Sequence, residues 1–206
     1  MVGEGEDGGD GETRKPGRPS VRDERRVQIL DAFLHLVRQR GHSEVTVSEV
    51  AAEAGVHRSA VRHFVGNRKD LVIGALDRID ERYDEMFEEA IGPDPTLDAL
   101  LDHLFDQAHL ADTSHIDEAY FALMTAGIGD LELRAHLRGA LAREIEWLAA
   151  MLTPDGDPEA MSVAYQIVCL AEHNVFLQRV GLEQRFSDDA RRLADRLVQE
   201  YRAGRS

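Results

Sequence analysis

The chain contains few residues that would interrupt or cross-link a helical fold. Its one cysteine, Cys169, excludes an internal disulfide, and we expect it to be a buried structural thiol. The six prolines lie within residues 16–19, 93–95 and 154–158, so the long stretches between them contain none. These stretches also lack the apolar alternation of a β-strand. We therefore predict an all-α protein of about nine helices.

The N-terminus lacks basic residues and almost all apolar ones. Residues 1–13 contain five carboxylates and five glycines, a composition that predicts a disordered acidic tail. The tail has neither the cationic start nor the apolar stretch of a signal peptide. No other part of the chain approaches the roughly 18 apolar residues that a membrane span requires. We therefore expect a cytoplasmic protein with no membrane partner.

The net charge of -15 is unevenly distributed along the chain. Residues 1–13 carry 5 acidic and no basic groups, residues 14–75 carry 7 and 12, and residues 76–206 carry 27 and 12. Only the middle segment, with a net charge of +5, can attract a polyanion. A protein whose whole surface is acidic would not have a net positive charge in this one segment.

Two short amphipathic helices are predicted within the positive segment. Thr46 and Glu49 have the spacing of a capping box, and Gly55 suits the left-handed position that ends a helix. The second helix runs from about residue 58 to residue 65. At roughly 100° per residue, its polar and apolar side chains occupy opposite faces. The polar face contains Arg58, Ser59, Arg62 and His63, and the apolar face contains Ala60, Val61, Phe64 and Val65.

This pair of helices has the form of a helix-turn-helix. The short turn around Gly55 is followed by a segment, Val56 to Lys69, without any acidic residue. Arg68 and Lys69 begin the next helix and are placed to contact DNA phosphates. A short helix with a basic face fits the major groove of DNA. The alternative is a solvated amphipathic helix that binds nothing.

A longer helix precedes the pair and completes a three-helix unit. Ser20 and Asp23 can cap its start, and Gly41 can end it. Its apolar residues recur at three- and four-residue intervals: Ile29, Leu30, Phe33, Leu34, Leu36 and Val37. We therefore predict a helix-turn-helix DNA-binding domain over residues 20–70.

Four short motifs keep their mutual spacing across residues 22–71. They are Ile29-Leu30-Asp31-Ala32, Thr46 with Val50-Ala51, Ala54-Gly55-Val56, and Arg68-Lys69-Asp70-Leu71. With these motifs the chain resembles the TetR family of bacterial transcription regulators. The resemblance implies that Arg58 and Ser59 contact bases. It also implies that the DNA backbone is contacted by Thr46, Arg62, His63 and Lys69.

The chain departs from the family pattern at the recognition helix. His57 stands where the family often has Ser or Thr, and Arg62-His63-Phe64-Val65 stands where it often has a Tyr-x-x-Phe run. We expect Arg62 or His63 to replace an aromatic phosphate contact. His57 is either a further DNA contact or a poor cap without a DNA role.

A Gly-Arg-Pro sequence precedes the three helices. Residues 14–20 carry Arg14, Lys15 and Arg18 on a segment that two prolines keep extended. The segment resembles the core of an AT-hook, which would place Lys15 and Arg18 against DNA, with Arg18 in a narrow minor groove. The alternative is a disordered tail. Residues 1–19 are thus predicted to be an acidic tail followed by a basic arm.

Residues 71–206 are predicted to form a second helical domain. Helices are expected over approximately residues 71–91, 96–111, 116–126, 130–152, 159–180 and 188–203. We expect Asp70 to cap the first of these and Ser187 to cap the last. In the TetR family this domain commonly binds a small molecule.

The last two helices are predicted to form a homodimer. Between Met161 and Val180, apolar residues point in nearly every direction, as expected of a helix buried on more than one side. A four-helix interface with a second copy would use Ile167, Val168, Ala171, Val175, Leu193, Leu197 and Tyr201. A large monomeric core is the alternative, but a palindromic DNA operator requires a two-fold symmetric protein.

Several side chains of the second domain are candidates for lining a ligand cavity. They are Phe87, His103, Phe105, His109, Tyr120, Phe121, Met124, Trp147, His173 and Phe176. For any one of them, an ordinary core position is the alternative. The family resemblance implies an unknown small-molecule effector that changes the separation of the two recognition helices.

The sequence offers no set of residues suited to catalysis or metal binding. His103 and His109 are six residues apart and do not share a helix face, while Glu172 and His173 point in different directions. The carboxylate pairs Asp80/Asp84 and Asp98/Asp102 fit a solvated acidic face. We therefore expect no enzyme activity, no metal and no cofactor.

The hypothesis that fits these features is a homodimeric, nucleoid-associated repressor that a small molecule releases from its operator. Two alternatives remain open. One is an all-α enzyme or carrier with an incidental helix-turn-helix. The other is an architectural protein that prefers A·T-rich DNA and binds through the arm.

Overall fold

The computed structural model describes residues 20–106 and 113–205. Within these ranges it contains nine α-helices, one 3-10 turn at His42–Glu44 and no β-strand, which confirms the predicted all-α fold. The helices are α1 Val21–Arg40, α2 Val47–Glu53, α3 Arg58–Phe64, α4 Arg68–Ile91, α5 Leu97–Phe105, α6 Ser114–Gly129, α7 Leu131–Leu152, α8 Pro158–Arg179 and α9 Arg185–Gly204. The predicted tail and arm, with Lys15 and Arg18, and the candidate His109 lie outside the described residues.

Reciprocal caps begin the first helices. At α1, Asp23 N–H donates to Ser20 Oγ (3.2 Å) while Ser20 N–H donates to the Asp23 carboxylate (3.2 Å). Thr46 and Glu49 form the same pair of bonds at α2, at 3.3 and 2.8 Å. These two boxes are at the predicted positions because both partners are three residues apart.

Two predicted helix starts need correction. α4 begins at Arg68 because Asn67 Oδ1 accepts from the N–H groups of Lys69 (2.7 Å) and Asp70 (3.2 Å), so Asp70 is not the cap. α9 begins at Arg185, before the predicted cap Ser187. Ser187 is instead buried, and its hydroxyl donates to Asn174 Oδ1 at 2.8 Å.

The core of the N-terminal helices continues into the second half of the chain. Its largest buried residues include Phe33 of α1, Val61 of α3 and Leu71 of α4. The same cluster reaches Ile79 further along α4 and Leu123 of α6. Because α4 is one continuous helix of 24 residues, apolar packing does not stop at the predicted domain boundary after residue 70.

A second core lies among the C-terminal helices. It is built from α5, α7, α8 and α9, with Leu100, Leu101, Leu148 and Ile167 as its largest buried members. α4 contributes Phe87 to its edge, so this helix contacts both cores. In the described part of the chain, no helix is both long and apolar enough to cross a membrane.

Candidate DNA-binding surface and ligand cavity

The two faces of α3 are separated in the structure as the periodicity predicts. Val61 is fully buried, and Phe64 packs against the N-terminal core. On the opposite side every polar residue is exposed: Arg58, Ser59, Arg62 and His63. Within the described residues, α3 therefore presents a continuous basic and hydroxyl surface to solvent.

The turn before α3 is held by backbone geometry. Gly55 has a φ of +62°, and Val56 N–H donates to Ala51 O at 2.8 Å. Gln28 Nε2 of α1 donates to Ala54 O at 2.8 Å and so satisfies the end of α2. This contact joins residues 26 positions apart and could not be predicted from local sequence signals. His57 occupies the N-cap of α3 without a side-chain capping bond and is exposed.

Thr46 is exposed at the start of α2, beside the basic surface of α3. Its hydroxyl donates to Glu49 Oε2 at 2.7 Å, and Arg40 Nη1 lies 2.8 Å from Glu49 Oε1. The Thr46 N–H, the Thr46 hydroxyl and Arg40 lower the pKa of Glu49 to about 2. Glu49 thus bonds to both Thr46 and Arg40 at the start of α2.

Arg68 does not point outward as the phosphate hypothesis requires. Its guanidinium donates to the backbone carbonyls of Val45 and His42. These bonds tie the 3-10 turn and the start of α2 to the start of α4. The predicted phosphate contact is therefore corrected, and Arg68 acts as a positioning residue for the helix-turn-helix.

Lys69 is paired across the boundary between the two cores. Its Nζ lies 2.9 Å from Glu132 Oε2 and 3.1 Å from Asp130 Oδ2, both at the start of α7. These carboxylates, Glu132 first, raise the pKa of Lys69. In this state the ammonium is held by α7, so a phosphate contact requires it to leave these partners.

A cavity of about 500 Å³ lies between α4, α5, α6, α7 and α8. Four of the predicted ligand residues line it: Phe87, Tyr120, Phe121 and Trp147. The rings of Phe87 and Trp147 meet edge to face with centroids 6.0 Å apart. The cavity has the size typical of small-molecule sites.

Five other predicted ligand residues lie elsewhere, which corrects the prediction for them. Phe105 is buried in the second core, and His103 contacts the far side of the cavity wall, edge-on to Phe87 at 4.9 Å. Met124 does not line the cavity. His173 and Phe176 lie on the exposed side of α8, stacked at 5.9 Å.

Five acidic side chains contribute to the polar part of the cavity lining, and the sequence interpretation missed them. They are Asp80, Asp84, Asp117, Glu144 and Glu172. Asp80 and Asp84 have the spacing of a solvated acidic face, which hid them among the 39 carboxylates of the chain. Glu172 gave a usable signal, because it belongs to a narrow polar stripe on the otherwise apolar α8.

Asp117 is the centre of a buried polar network. Its carboxylate accepts from Thr113 Oγ1 (3.0 Å), from the Tyr83 hydroxyl and from the Arg179 guanidinium, with which it forms an ion pair. Burial, followed by the charge of Asp117, raises the pKa of Tyr83. The network joins α4, α6 and α8 at one end of the cavity.

Three other cavity carboxylates, Asp80, Glu144 and Glu172, have no ion pair like the one between Asp117 and Arg179 among the residues that the structure describes. Burial raises the pKa of Glu172 to about 7, and the neighbouring charges of Glu144, Asp117 and Asp80 add to this shift. The pKa of Glu144 is raised by burial and then by Asp80. The pKa of Asp80 is raised by burial and by Asp77, against the influence of His136 and Arg143.

The predicted dimer residues of α8 face inward, so the interface needs correction. Ile167, Val168 and Ala171 are buried within one chain, and Val175 lines the cavity. In α9, Tyr201 is also buried, while Leu193 and Leu197 are half-buried. The inward side of α8 is covered by its own chain because α7 and α9 both pack against it.

The outward side of α8 carries an apolar stripe. At roughly 100° per residue, its members fall within an arc of about 80°. They are Tyr165, Cys169, His173, Phe176 and Val180, all exposed. Cys169 is therefore not the buried thiol that we expected, because it lies on this side of the helix. We call this surface the outer α8 stripe.

Comparison with known proteins identifies the N-terminal domain. Residues 29–74 match the family model of bacterial regulatory proteins, tetR family. Over this segment, the chain is similar to the TetR family. The match covers all of α2 and α3, most of α1 and the start of α4.

Two curated relatives are similar to this chain over part of their length. The HTH-type transcriptional regulator BetI of Brucella anthropi is 31% identical over 68 residues, which are 33% of this chain and 35% of that protein. An uncharacterised HTH-type transcriptional regulator of Mycobacterium tuberculosis is 32% identical over 120 residues, 58% of this chain and 60% of that protein. The chain thus matches about a third of BetI.

Solved structures share the fold over most of the chain. A TetR transcription regulator from Haloarcula marismortui has a TM-score of 0.70 at 18% identity and covers 86% of this chain and 97% of its own. The multidrug binding protein EbrR, complexed with imidazole, has a TM-score of 0.62 at 23% identity and covers 84% and 89%. At these identities the likeness establishes the TetR-type fold of both halves.

Proposed function

We propose that the protein is a homodimeric transcription regulator, a repressor that a small molecule releases from its operator. The observation that carries this proposal is the exposed surface of α3, with Arg58, Ser59, Arg62 and His63 standing over a buried apolar face. A helix of this kind in a TetR-family domain is suited to the major groove of DNA.

The placement of each side chain suggests its role at the groove. Arg58 and Ser59 begin α3, the end that reaches base edges in helix-turn-helix proteins. Thr46, Arg62 and His63 flank that end and are proposed to contact phosphates. His57, exposed and free of a capping bond, is a further candidate. Arg68 supports the unit from inside through its two carbonyl bonds.

A second copy of the chain is proposed to cover the outer α8 stripe. Tyr165 is 57% exposed and Val180 64%, which is unusual for large apolar side chains on one helix face. Phe186 of α9, 39% exposed, and half-buried Leu193 would extend the surface. A two-fold contact of α8 and α9 makes a four-helix interface and places two recognition helices on one DNA duplex.

Ligand binding is proposed to act on DNA through α7. The C-terminal half of this helix lines the cavity with Glu144 and Trp147, and its first turn holds Lys69 through Asp130 and Glu132. A ligand that moves α7 therefore moves the start of α4, next to the helix-turn-helix. The fold accommodates small molecules, since its neighbour EbrR is complexed with imidazole.

The function is tested by selecting bound sequences from a random pool of duplex DNA with the full chain. We expect a palindrome with a fixed half-site separation of about 34 to 36 Å or a multiple of it. Enrichment of A·T-rich DNA without a palindrome would support the architectural alternative. Enrichment of no sequence would contradict the proposed regulator.

Removing the charges that hold Lys69 is expected to strengthen DNA binding. In the double variant Asp130→Asn with Glu132→Gln, asparagine can still cap α7, because Asp130 Oδ1 accepts from Glu132 N–H (2.9 Å) and Leu133 N–H (3.1 Å). Lys69 then becomes free to contact phosphate. We expect affinity for the selected operator to rise about fivefold, since exposed ion pairs contribute up to about 1 kcal/mol.

The same substitutions in a Lys69→Ala background are the control for this effect. The slope of log affinity against log salt should steepen in the double variant and stay unchanged when Lys69 is absent. An equal gain in affinity in both backgrounds would show a general charge effect and would exclude the proposed competition for Lys69.

A further inference from the structure

The cavity wall combines half-buried carboxylates with aromatic rings. Glu172 comes from α8, Glu144 from α7 and Asp80 from α4, so the three acidic groups reach the cavity from three directions. Within the described residues, none of these three carboxylates has a hydrogen bond or an ion pair. Asp117 differs from them because Arg179 balances its charge.

Carboxylates in this position are costly for the empty protein. Desolvation disfavours the ionised form, and mutual repulsion adds to the cost, which is why the pKa of Glu172 rises to about 7. The cavity lining offers one arginine, Arg143, and one histidine, His136, and His136 Nε2 lies 3.1 Å from Asp77. A positive group inside the cavity would supply the missing counter-charge.

The aromatic side chains favour the same ligand chemistry. Phe87, Tyr120 and Trp147 line the cavity together with the acidic groups. The faces of such rings attract cations, because the ring quadrupole places negative charge there. The rest of the lining is aliphatic, with Leu76, Leu100 and Leu148 among its members. A ligand with an apolar body and a positive group would therefore match this lining. Its apolar part would contact the aliphatic and aromatic side chains, and its charge would meet the carboxylates.

We propose that the effector is an organic cation, an amine or a quaternary ammonium compound with an apolar body. Its charge would lie among Glu144, Glu172 and Asp80, and its apolar part against Phe87, Tyr120 and Trp147. This inference rests on the proposed ligand-responsive function. It assigns a binding role to Asp80, which the sequence pattern had placed on a solvated acidic face, and to Glu144 and Glu172, which were not among the predicted site residues.

Trp147 gives a direct measure of occupancy, because it is the only tryptophan in the chain and lines the cavity. Fluorescence titrations would compare 3-hydroxyphenyltrimethylammonium with its neutral isostere 3-tert-butylphenol and with the anion 3-hydroxybenzoate. Benzyltrimethylammonium, tetraethylammonium and phenethylamine would extend the cationic set. We expect cations to bind at least about tenfold more tightly than the neutral isostere, and the anion to bind most weakly.

Charge-removing variants assign the effect to the proposed residues. Glu172→Gln and Glu144→Gln are each expected to lower affinity for the ammonium probe about tenfold, while affinity for 3-tert-butylphenol stays the same or rises. Glu146→Gln is the matched control, since Glu146 lies on α7 but is exposed and does not line the cavity. Thermal unfolding of each variant confirms folding, because removing an uncompensated carboxylate should not destabilise the chain.

The affinity for a permanently charged probe should also depend on pH. A raised pKa means that Glu172 loses its proton as pH rises through about 7, so affinity should increase across that range and Glu172→Gln should flatten the increase. The titratable and charged groups around this site are the carboxyl groups of Asp80, Asp84, Asp117 and Glu144, the guanidinium groups of Arg143 and Arg179, and the imidazole of His136. The hydroxyls of Tyr83 and Tyr120 are uncharged near pH 7, because burial raises the pKa of both.

Several results would overturn the inference. They are equal affinity for the cation and its neutral isostere, unchanged affinity in both Gln variants, or no binding by any member of the cationic set. Release of the selected operator is measured separately. If the protein binds the cations but selects no operator, the proposed regulatory function is wrong and the cation site stands. If neutral or anionic compounds release the operator, the proposed cationic effector is wrong and the regulatory function stands.

Discussion

Replacing Arg58 and Ser59 together by alanine is expected to abolish sequence-specific DNA binding. Both side chains are exposed at the start of α3 and have no role in the core of the domain. A good bidentate contact between a side chain and a base contributes about 1 to 3 kcal/mol, and a dimer loses it in both half-sites. Affinity for the selected operator should therefore fall about a hundredfold or more, as measured by fluorescence anisotropy.

Salt dependence separates base contacts from phosphate contacts in this experiment. The Arg58→Ala and Ser59→Ala variant should keep most of the salt slope, whereas Arg62→Ala should reduce it by about one unit for each half-site. Arg138→Ala removes one positive charge from an exposed site on α7 and is the control for net charge. If specific binding survived in the double variant and instead required residues 14–19, the architectural alternative would replace the proposed regulator.

The N-terminal domain could be predicted because its signals are local. The Ser20/Asp23 and Thr46/Glu49 boxes depend on partners three residues apart, and the faces of α3 follow from helical periodicity alone. Gly55 adopts the positive φ that its position in the turn suggested. The caps, the faces of α3 and the Gly55 turn are determined by residues close in sequence, and the tertiary structure does not change them.

Arg68 and Lys69 show where local reasoning stops. Two adjacent cations at a helix start are well placed for phosphates, but their partners are distant in sequence. Arg68 bonds to carbonyls 23 and 26 residues earlier, and Lys69 to a carboxylate 63 residues later. The packing of α4 near the 3-10 turn and α7 brings these distant partners to Arg68 and Lys69, and the local sequence does not determine that packing.

The cavity and the outer α8 stripe also depend on contacts between helices that are distant in sequence. The apolar pattern of α8 predicted burial on more than one side, yet it could not say which side meets the chain itself. Because α7 and α9 cover the side with Ile167, the outer α8 stripe remains exposed. Likewise, Glu144 and Glu172 are ordinary acidic residues until α4, α7 and α8 enclose them.

Asp117→Ala is expected to cause a large loss of stability. Asp117 is only 2% exposed, and it accepts hydrogen bonds from Tyr83, Thr113 and Arg179 on three different helices or their ends. Removing it would take the Asp117 carboxylate away from the Arg179 guanidinium and from the two hydroxyls that donate to it. Breaking a buried pair in this way costs about 3 to 5 kcal/mol, and the partial exposure of Arg179 places the expected loss near the lower end, about 3 kcal/mol.

An exposed pair of the same chemistry provides the comparison. Asp189 and Arg192 form an ion pair on α9 with both side chains at least 60% exposed, so Asp189→Ala should change stability by less than about 1 kcal/mol. Both variants would be unfolded with urea at one fixed protein concentration, since dimer stability depends on concentration. Equal midpoints for the two variants would mean that Asp117 does not join α4, α6 and α8. A large loss at Asp117 alone would show that this network holds α4, α6 and α8 together at one end of the cavity.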